Sequence, residues 1–387
     1  MFDNFDKYVD RTDISIKYGN KGKQYPGFSV REDAIPMWIA DMDFACCEPV
    51  VKALHRTADQ GTFGYEDPAG DRYRAALCAW MKKRHDWEIR PEWITQAPGA
   101  IEALDKAIEA FTEEGDGVII QMPAYGPFAA SVKTLRRRVA ENNLILDEDG
   151  FHIDFKDLER KAAAPENKMM IFCSPHNPTG RVWTKEELER ISRICRENGV
   201  LIYSDEVHHD IVRPGFRHIP IAEFDPENVL TAVTAGKSFN LSGLHLASLI
   251  ISDEEKRARF LEKRGKWFPD PFSAAAAIAA YEEGETWEDE VNQYLDESLT
   301  ILEKALPEVL PKARLAAAEG TYLAWIDLRG YGKTQEELSR MLVEEAGVIP
   351  NPGTQFGKAG EGFIRLNVAC PHAVLKEALA RLKQVFG

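Results

Sequence analysis

Lys237 stands in the stretch TAVTAGKSFNLSGLHLASLII, residues 231–251, between Gly236 and Ser238. Gly-Lys-Ser is how a phosphate-binding P-loop ends, but the full pattern G-x-x-x-x-G-K-[ST] needs an earlier glycine so that backbone N–H groups can curl around the phosphates. That position is Thr231, so the pattern is half present. A lysine amine has a second chemistry, condensation with an aldehyde. Other residues bear on it: Asp205 closes GVLIYSD, Asn177 sits in SPHNPTG, Tyr125 sits in MPAYGPF, and Gly99, Ala100 and Ile101 lie where WITQAPG runs into PGAIEAL. Each also has a plain reading. Asn177 in N-P-T-G is a turn former, Tyr125 between two prolines is loop packing, and Asp205 with Glu206 is a charge pair. His208 and His209 with Asp205 and Asp210 invite a metal. Adjacent histidines on a strand face opposite ways and no H-E-x-x-H spacing exists, so no metal is expected.

The elements that must position these residues are short apolar runs alternating with amphipathic helices. VIIQMP (118–123), KMMIFCSP (168–175), GVLIYSDE (199–206), NVLTAVTA (228–235) and LASLII (246–251) are apolar on both faces. Such strands belong in a largely parallel sheet covered by helices. TKEELERISRICRENG opens on Thr184 with Glu187 three residues on, a capping box, and Gly199 stops it. GAIEALDKAIEAFTEEG carries Ile101, Leu104, Ile108 and Phe111 and closes at Gly115. In such an α/β architecture, residues at the carboxyl ends of several strands can converge on one crevice. From about residue 285 the runs TYLAWIDLRG, GVIPNPGTQFG and GFIRLNVAC are shorter strands of a smaller α+β domain. The expected division is therefore 1–45 as an N-terminal arm or part of the small domain, 46–284 as the large domain and 285–387 as the small one.

Composition narrows the partners. With 44% hydrophobic residues in 387, the chain can bury a large core. Lys+Arg 48 against Asp+Glu 63 leaves −15, without the basic face of a nucleic-acid binder. MFDNFDKYVD has no apolar segment of the kind a secretory signal needs. FSAAAAIAAYEEG is too short and too charged at its flanks to span a membrane, so it is expected to be a packed helix. Six cysteines at 46, 47, 78, 173, 195 and 370 show no paired spacing, which fits free thiols in a reducing cytoplasm.

The candidate residues make sense together around one ligand. A helix N-terminus at Gly99–Ile101 can hold a phosphate. Asp205 can keep a pyridine nitrogen protonated, Asn177 can donate to a phenolate oxygen, Tyr125 can stack on a ring, and Lys237 can form an imine with an aldehyde. Those are the groups of pyridoxal 5′-phosphate, for which a lysine plus an aspartate at the pyridinium is the usual pairing. PGAIEAL, MPAYGPF, CSPHNPTGRVW, YSDEVHHD, GKSFNLSGL and NPGTQFG…FIRLN occur in an order that resembles a fold-type I pyridoxal-phosphate enzyme of the aminotransferase class I/II superfamily. PMWIADMDF (36–44) and GTFGYEDPAG (61–70) are similar to the cystathionine β-lyase branch of MalY/PatB type, the C–S lyases.

The resemblance implies that fold, with a mostly parallel sheet flanked by helices, and a role for each residue. Lys237 would carry the cofactor, Asp205 would pair with its ring nitrogen, and Asn177 and His208 would face its phenolic oxygen. Tyr125 would stack. Arg365 would hold the substrate α-carboxylate, with Asn177 and the backbone near Ile39–Ala40 assisting. Tyr65 would reach into the neighbouring subunit's site, making a homodimer with shared sites. Two positions depart from the pattern. Gly236 stands where serine is common, leaving Thr234 to offer a hydroxyl to the phosphate. His245 stands where many aminotransferases place a phosphate-binding arginine. The expected reaction on a small amino-acid substrate is α,β-elimination of L-cystathionine or L-cysteine type compounds to a thiol, pyruvate and ammonia. An aminotransferase is the nearest alternative; a non-catalytic binding protein on the same fold and a P-loop ATPase are more distant ones.

Overall fold

The computed structural model describes residues 4–12, 14–64 and 70–387, so Tyr65 lies outside the described residues. Seven strands build the central sheet: β1 (Ile94–Ala97), β2 (Gly117–Met122), β3 (Arg138–Asn143), β4 (Asn167–Cys173), β5 (Leu201–Asp205), β6 (Val229–Val233) and β7 (Ala247–Ile250). Their order is β1-β7-β6-β5-β4-β2-β3. Only β7 runs against its two neighbours, and the remaining pairs are parallel.

The apolar runs are buried on both faces because alternate residues feed two cores. Ile119, Met170, Phe172 and Ile202 join one cluster, while Val118, Ile120, Met169, Ile171 and Leu201 join the other. This is the period-2 alternation of a strand inside a sheet covered on both sides. Helix α1 (Glu48–Asp59), helix α2 (Asp71–His85), helix α5 (Lys185–Glu197) and helix α6 (Pro271–Glu283) supply the first cluster; α3 (Ala100–Phe111) and α4 (Gly126–Thr134) supply the second. The Ala-rich stretch is α6, whose small side chains are buried. At the start of α5 the Thr184 hydroxyl accepts from Glu187 N and the Glu187 carboxylate accepts from Thr184 N at 2.8 Å, the capping box expected there. Helix α3 stops at Phe111, four residues before Gly115. Thr112 takes an extended backbone and its hydroxyl donates to Ile108 O at 2.7 Å, while Gly115 forms the turn into β2 with φ +90°.

A third buried cluster joins Phe5, Tyr25 and residues between 34 and 44 to residues 291–386. It surrounds a four-stranded antiparallel sheet of β8 (Arg314–Leu315), β9 (Leu323–Asp327), β10 (Asn351–Pro352) and β11 (Phe363–Asn367), ordered β8-β9-β11-β10. Helices α7 (Glu285–Val309) and α8 (His372–Phe386) pack there. Ile35–Pro36 pairs in parallel with Val348–Ile349, so the two ends of the chain are held together.

Candidate active site

The carboxyl ends of the parallel strands open into a cavity of about 1010 Å³. Residues after β1 bring Gly99, Ala100 and Ile101 to it; Tyr125 follows β2, Asn177 follows β4, and Asp205 with His208 ends β5. Thr234 and Lys237 follow β6, and His245 precedes β7. Ala40 and Arg365 come from the opposite wall, Arg365 from within β11. Every candidate residue that the structure describes thus lines one space. Thr231, where a P-loop would need glycine, is buried inside β6.

Lys237 sits on the one-turn helix Ala235–Ser238, and its Nζ donates to Ala40 O at 2.7 Å. Burial, then the nearby Arg365 charge, lowers its pKa to about 8 against the pull of Asp41 and Asp205. A buried ammonium loses hydration that one carbonyl does not restore, so the neutral amine gains ground. Asp205 lies across from Cys173 on β4 and Ala232 on β6. Burial raises its pKa to about 6, with the Val207 N–H at 3.3 Å and Lys237 opposing. A carboxylate so placed is short of positive partners, which suits a protonated ring nitrogen.

Arg365 is 3% exposed and held on three sides: Nη1 donates to Asn177 Oδ1 at 3.0 Å, and Nη2 donates to Trp38 O at 2.9 Å and to Asn351 Oδ1 at 2.6 Å. Its plane lies 4.8 Å over the Phe356 ring. No carboxylate among the described residues pairs with it, and its Nε has no partner there. Burial depresses its pKa to about 10, still far above neutrality. A fixed, charged and unneutralised guanidinium is a receptor for a carboxylate. Because Asn177 Oδ1 faces Arg365, the amide NH₂ is the end of Asn177 left to donate elsewhere.

At the other end of the cavity, the first turn of α3 carries N–H groups that lack intrahelical acceptors, with the dipole behind them. Thr234 does not add a donor. Its hydrogen goes to Leu246 O at 2.7 Å and its oxygen caps Gly236 N at 2.9 Å, so its hydroxyl is spent on the Lys237 turn. Gly236 suits that turn, because a Cβ there would stand 3.1 Å from the Thr234 hydroxyl and 3.4 Å from Ser242 Cα. His245 turns the chain with φ +46° and lines the cavity. His208 is buried, kept far below its ordinary pKa by burial and by Lys237 and Arg365, and its Nδ1 has no partner among the described residues. Tyr125 caps α4 with its ring edge-on to Phe128 at 5.6 Å.

Ala40, expected to assist at the substrate through its backbone, offers its carbonyl to Lys237 and to Tyr322 Oη at 3.0 Å. Sequence reasoning missed three other contributors: Tyr322 itself, Asn351, which braces Arg365, and Asn240, which holds the Met42 and Phe44 backbone. The segment 38–44 is clamped further by Arg11 on Asp41 and Asp43 and by the buried Lys17 on Asp43 at 2.7 Å. PMWIADMDF carried this signal in its two aspartates. His85, His209 and Asp210 bring possible ligand atoms within 4.8 Å of one another. His85, Trp80 and Ser238 all meet the Asp210 carboxylate, and His209 Nε2 stands 3.3 Å from its Oδ2.

The chain matches the family described as Aminotransferase class I and II over residues 32–382. It is 39% identical to cystathionine beta-lyase PatB of Bacillus subtilis (strain 168), covering 98% of this chain and 99% of that one. It is 34% identical to protein MalY of Escherichia coli (strain K12), over 99% and 98%. Among solved structures, cystalysin from Treponema denticola, which contains a pyridoxal 5′-phosphate cofactor, superposes with a TM-score of 0.95 at 31% identity over 100% of this chain and 99% of that one.

Proposed function

The chain belongs to the aminotransferase class I and II family, and from that premise we propose that it is a pyridoxal 5′-phosphate-dependent carbon–sulfur β-lyase. Its substrates are L-cystathionine and related cysteine thioethers or thiols. The observation that carries this reading is one cavity in which a buried amine inclined to be neutral stands together with a buried carboxylate and a buried guanidinium, neither with an ion-pair partner among the described residues. The cofactor fits these vacant valences. Lys237 would hold its aldehyde carbon, Asp205 its ring nitrogen, Asn177 and His208 its phenolic oxygen, Tyr125 its ring face, and the first turn of α3 its phosphate.

When bound, pyridoxal phosphate supplies an electron sink that lets the Cα proton of an amino acid leave. Arg365, aimed by Asn177, Trp38 O and Asn351, binds the α-carboxylate and so turns Cα toward Lys237. The Lys237 amine, freed when the substrate amine takes its place, accepts the Cα proton; such a positioned transfer contributes roughly 10²–10⁴ in rate. The Cβ–S bond then breaks, sulfur leaves with the bonding pair, and Lys237 returns a proton to it. Lys237 then takes back its place, releasing the three-carbon enamine, which tautomerises to an imine that water hydrolyses to pyruvate and ammonium. Similarity to cystathionine beta-lyases over nearly the whole chain supports elimination over transamination.

The assembly proposed is a homodimer in which Tyr65 completes the neighbouring site. Phe63 and Phe268 are exposed, and the Phe63 ring lies tilted against Phe272 at 5.5 Å; exposed aromatic rings of this kind support an interface. The proposed division of the chain at 45 and 284 follows the third core cluster. No helix among the described residues is long and apolar enough to cross a membrane, and six free thiols fit the cytoplasm we propose.

The reading is tested with L-cystathionine and no keto acid. Pyruvate, ammonia and homocysteine should accumulate over many turnovers. Borohydride followed by peptide mapping should place the cofactor on Lys237 within residues 235–243. A reaction that halts after one turnover and resumes only with 2-oxoglutarate or pyruvate would establish an aminotransferase instead.

A further inference from the structure

Behind the cavity wall, the chain after β5 enters a fully buried polar cluster that the proposed chemistry does not use. Glu206 accepts from the Ser204 hydroxyl at 2.7 Å, from Ile221 N at 3.3 Å and from His218 Nε2 at 2.9 Å. Asp210 Oδ1 accepts from Trp80 Nε1 at 3.0 Å and pairs with His85 Nε2 at 2.8 Å, both on α2. Asp210 Oδ2 accepts from the Ser238 hydroxyl at 2.6 Å and stands 3.3 Å from His209 Nε2. The Asp210 carbonyl accepts from Asn292 on α7 at 2.8 Å. Burial alone would push the Asp210 carboxyl up; His209, His85 and the hydroxyl outweigh it and hold the group below the usual carboxylate range. Asp210 is therefore a fixed anion, tied to α2 and α7.

Ser238 is the residue after Lys237, on a turn of four residues. A turn that short has no stability of its own. Thr234 caps its beginning, and the Ser238–Asp210 bond fastens its end. Asp210 lies five residues beyond Asp205 and two beyond His208. The bond thus closes a ring that runs from β5 through Asp205, His208 and Asp210, across to Ser238 and Lys237, and back along β6, the neighbour of β5.

We propose that the Ser238–Asp210 hydrogen bond is a strut that sets the reach of Lys237 relative to Asp205 and His208, making Ser238 and Asp210 positioning residues of the reaction. The inference rests on Lys237 being the cofactor-bearing lysine. Asn240 ties the chain just past the turn to the Met42 and Phe44 backbone. Without the strut, however, the residue beside Lys237 loses its direct hydrogen bond to the segment that carries Asp205 and His208, and the four-carbon lysine side chain carries the resulting looseness to Nζ. A misplacement of about 1 Å costs on the order of 10²-fold in an oriented reaction.

The test compares the holoenzyme with its Ser238→Ala, Asp210→Ala and double variants in kcat, KM, melting temperature and the pH midpoint of the visible cofactor band. Each single change should lower kcat by between about ten- and a hundredfold, the worth of one hydrogen bond to a charged group. KM should be nearly unchanged and the band midpoint should move. The double variant should fall no further than the worse single one, because both remove the same bond. Asp210→Ala also removes the partner of Trp80 and His85, so if it fails to fold, Ser238→Ala decides alone. A Ser238→Ala enzyme with wild-type kcat and band midpoint, or one altered only in melting temperature, would overturn the strut. Borohydride mapping of the wild type separates the two ideas: an adduct away from Lys237 sinks the lysine assignment, whereas an adduct on Lys237 with an indifferent Ser238→Ala sinks the strut alone.

Discussion

Burial opposes charge at Lys237, Asp205 and Arg365 alike, and their different intrinsic pKa values turn one pressure into three outcomes. Lys237, lowered to about 8, has about a tenth of its amine neutral at pH 7, some hundreds of times more than an ordinary lysine. Reattachment of pyridoxal phosphate to the cofactor-free chain should therefore accelerate with pH and level off above a midpoint near 8. A midpoint near the ordinary value of 10.5, followed by absorbance, would contradict the burial argument. The same depression bears on folding. Between about 8 and 10.5 the unfolded lysine keeps a proton that the folded one has given up, so the cofactor-free chain gains stability as pH rises through that window. Arg365 stays charged throughout. Arg365→Lys supplies a point charge that cannot meet Asn177, Trp38 O and Asn351 while holding a carboxylate. We expect kcat/KM to fall by about ten- to a hundredfold with the cofactor spectrum intact; wild-type kinetics would remove Arg365 from substrate binding.

At the scale of elements, α3 is expected to act through its backbone alone. Proline is compatible with the first helical position, and Gly99 before it is extended, as a residue preceding proline must be. Ala100→Pro should keep the helix and the melting temperature while deleting one N–H at the phosphate end. We expect cofactor affinity, measured by dialysis against inorganic phosphate, to drop by about tenfold; unchanged retention would mean the phosphate leans elsewhere. The elements themselves were legible where one local rule decides them. Strands buried on both faces announce themselves as apolar runs, and Thr184 with Glu187 marks a helix start. Gly115 misled because a glycine marks a turn without saying whether the helix reaches it, and Thr112 ended α3 first. The site was legible where strand ends met reactive residue types, as at Asp205, Asn177 and Lys237. It was less legible where a contact depends on how distant segments meet. The backbone near Ile39–Ala40 was expected at the substrate, but no residue type announces that Ala40 O would hold Lys237 or that Leu246 O would spend the Thr234 hydroxyl.

For the whole molecule, the proposed dimer makes a direct prediction. Sedimentation at micromolar concentration should give twice the chain mass, and Phe268→Asp, placing a charge at an exposed aromatic position, should shift the mass toward one chain and abolish turnover. A fully active monomer would disprove the shared site. The third core cluster has another consequence, which concerns the order in which the protein is made. Trp38 O meets Arg365 across 327 residues, and Met37, Trp38, Met42 and Phe44 bury themselves against chain that lies beyond residue 290. At synthesis rates of roughly 5–20 residues per second, those side chains wait about 15–65 s for their partners. The proposed substrate grip is thus completed only when β11 emerges, with α8 alone still to come. A ribosome-bound chain released before β11 could complete the central sheet, but it would expose an apolar N-terminal segment and lack Arg365, the residue proposed to hold an amino acid.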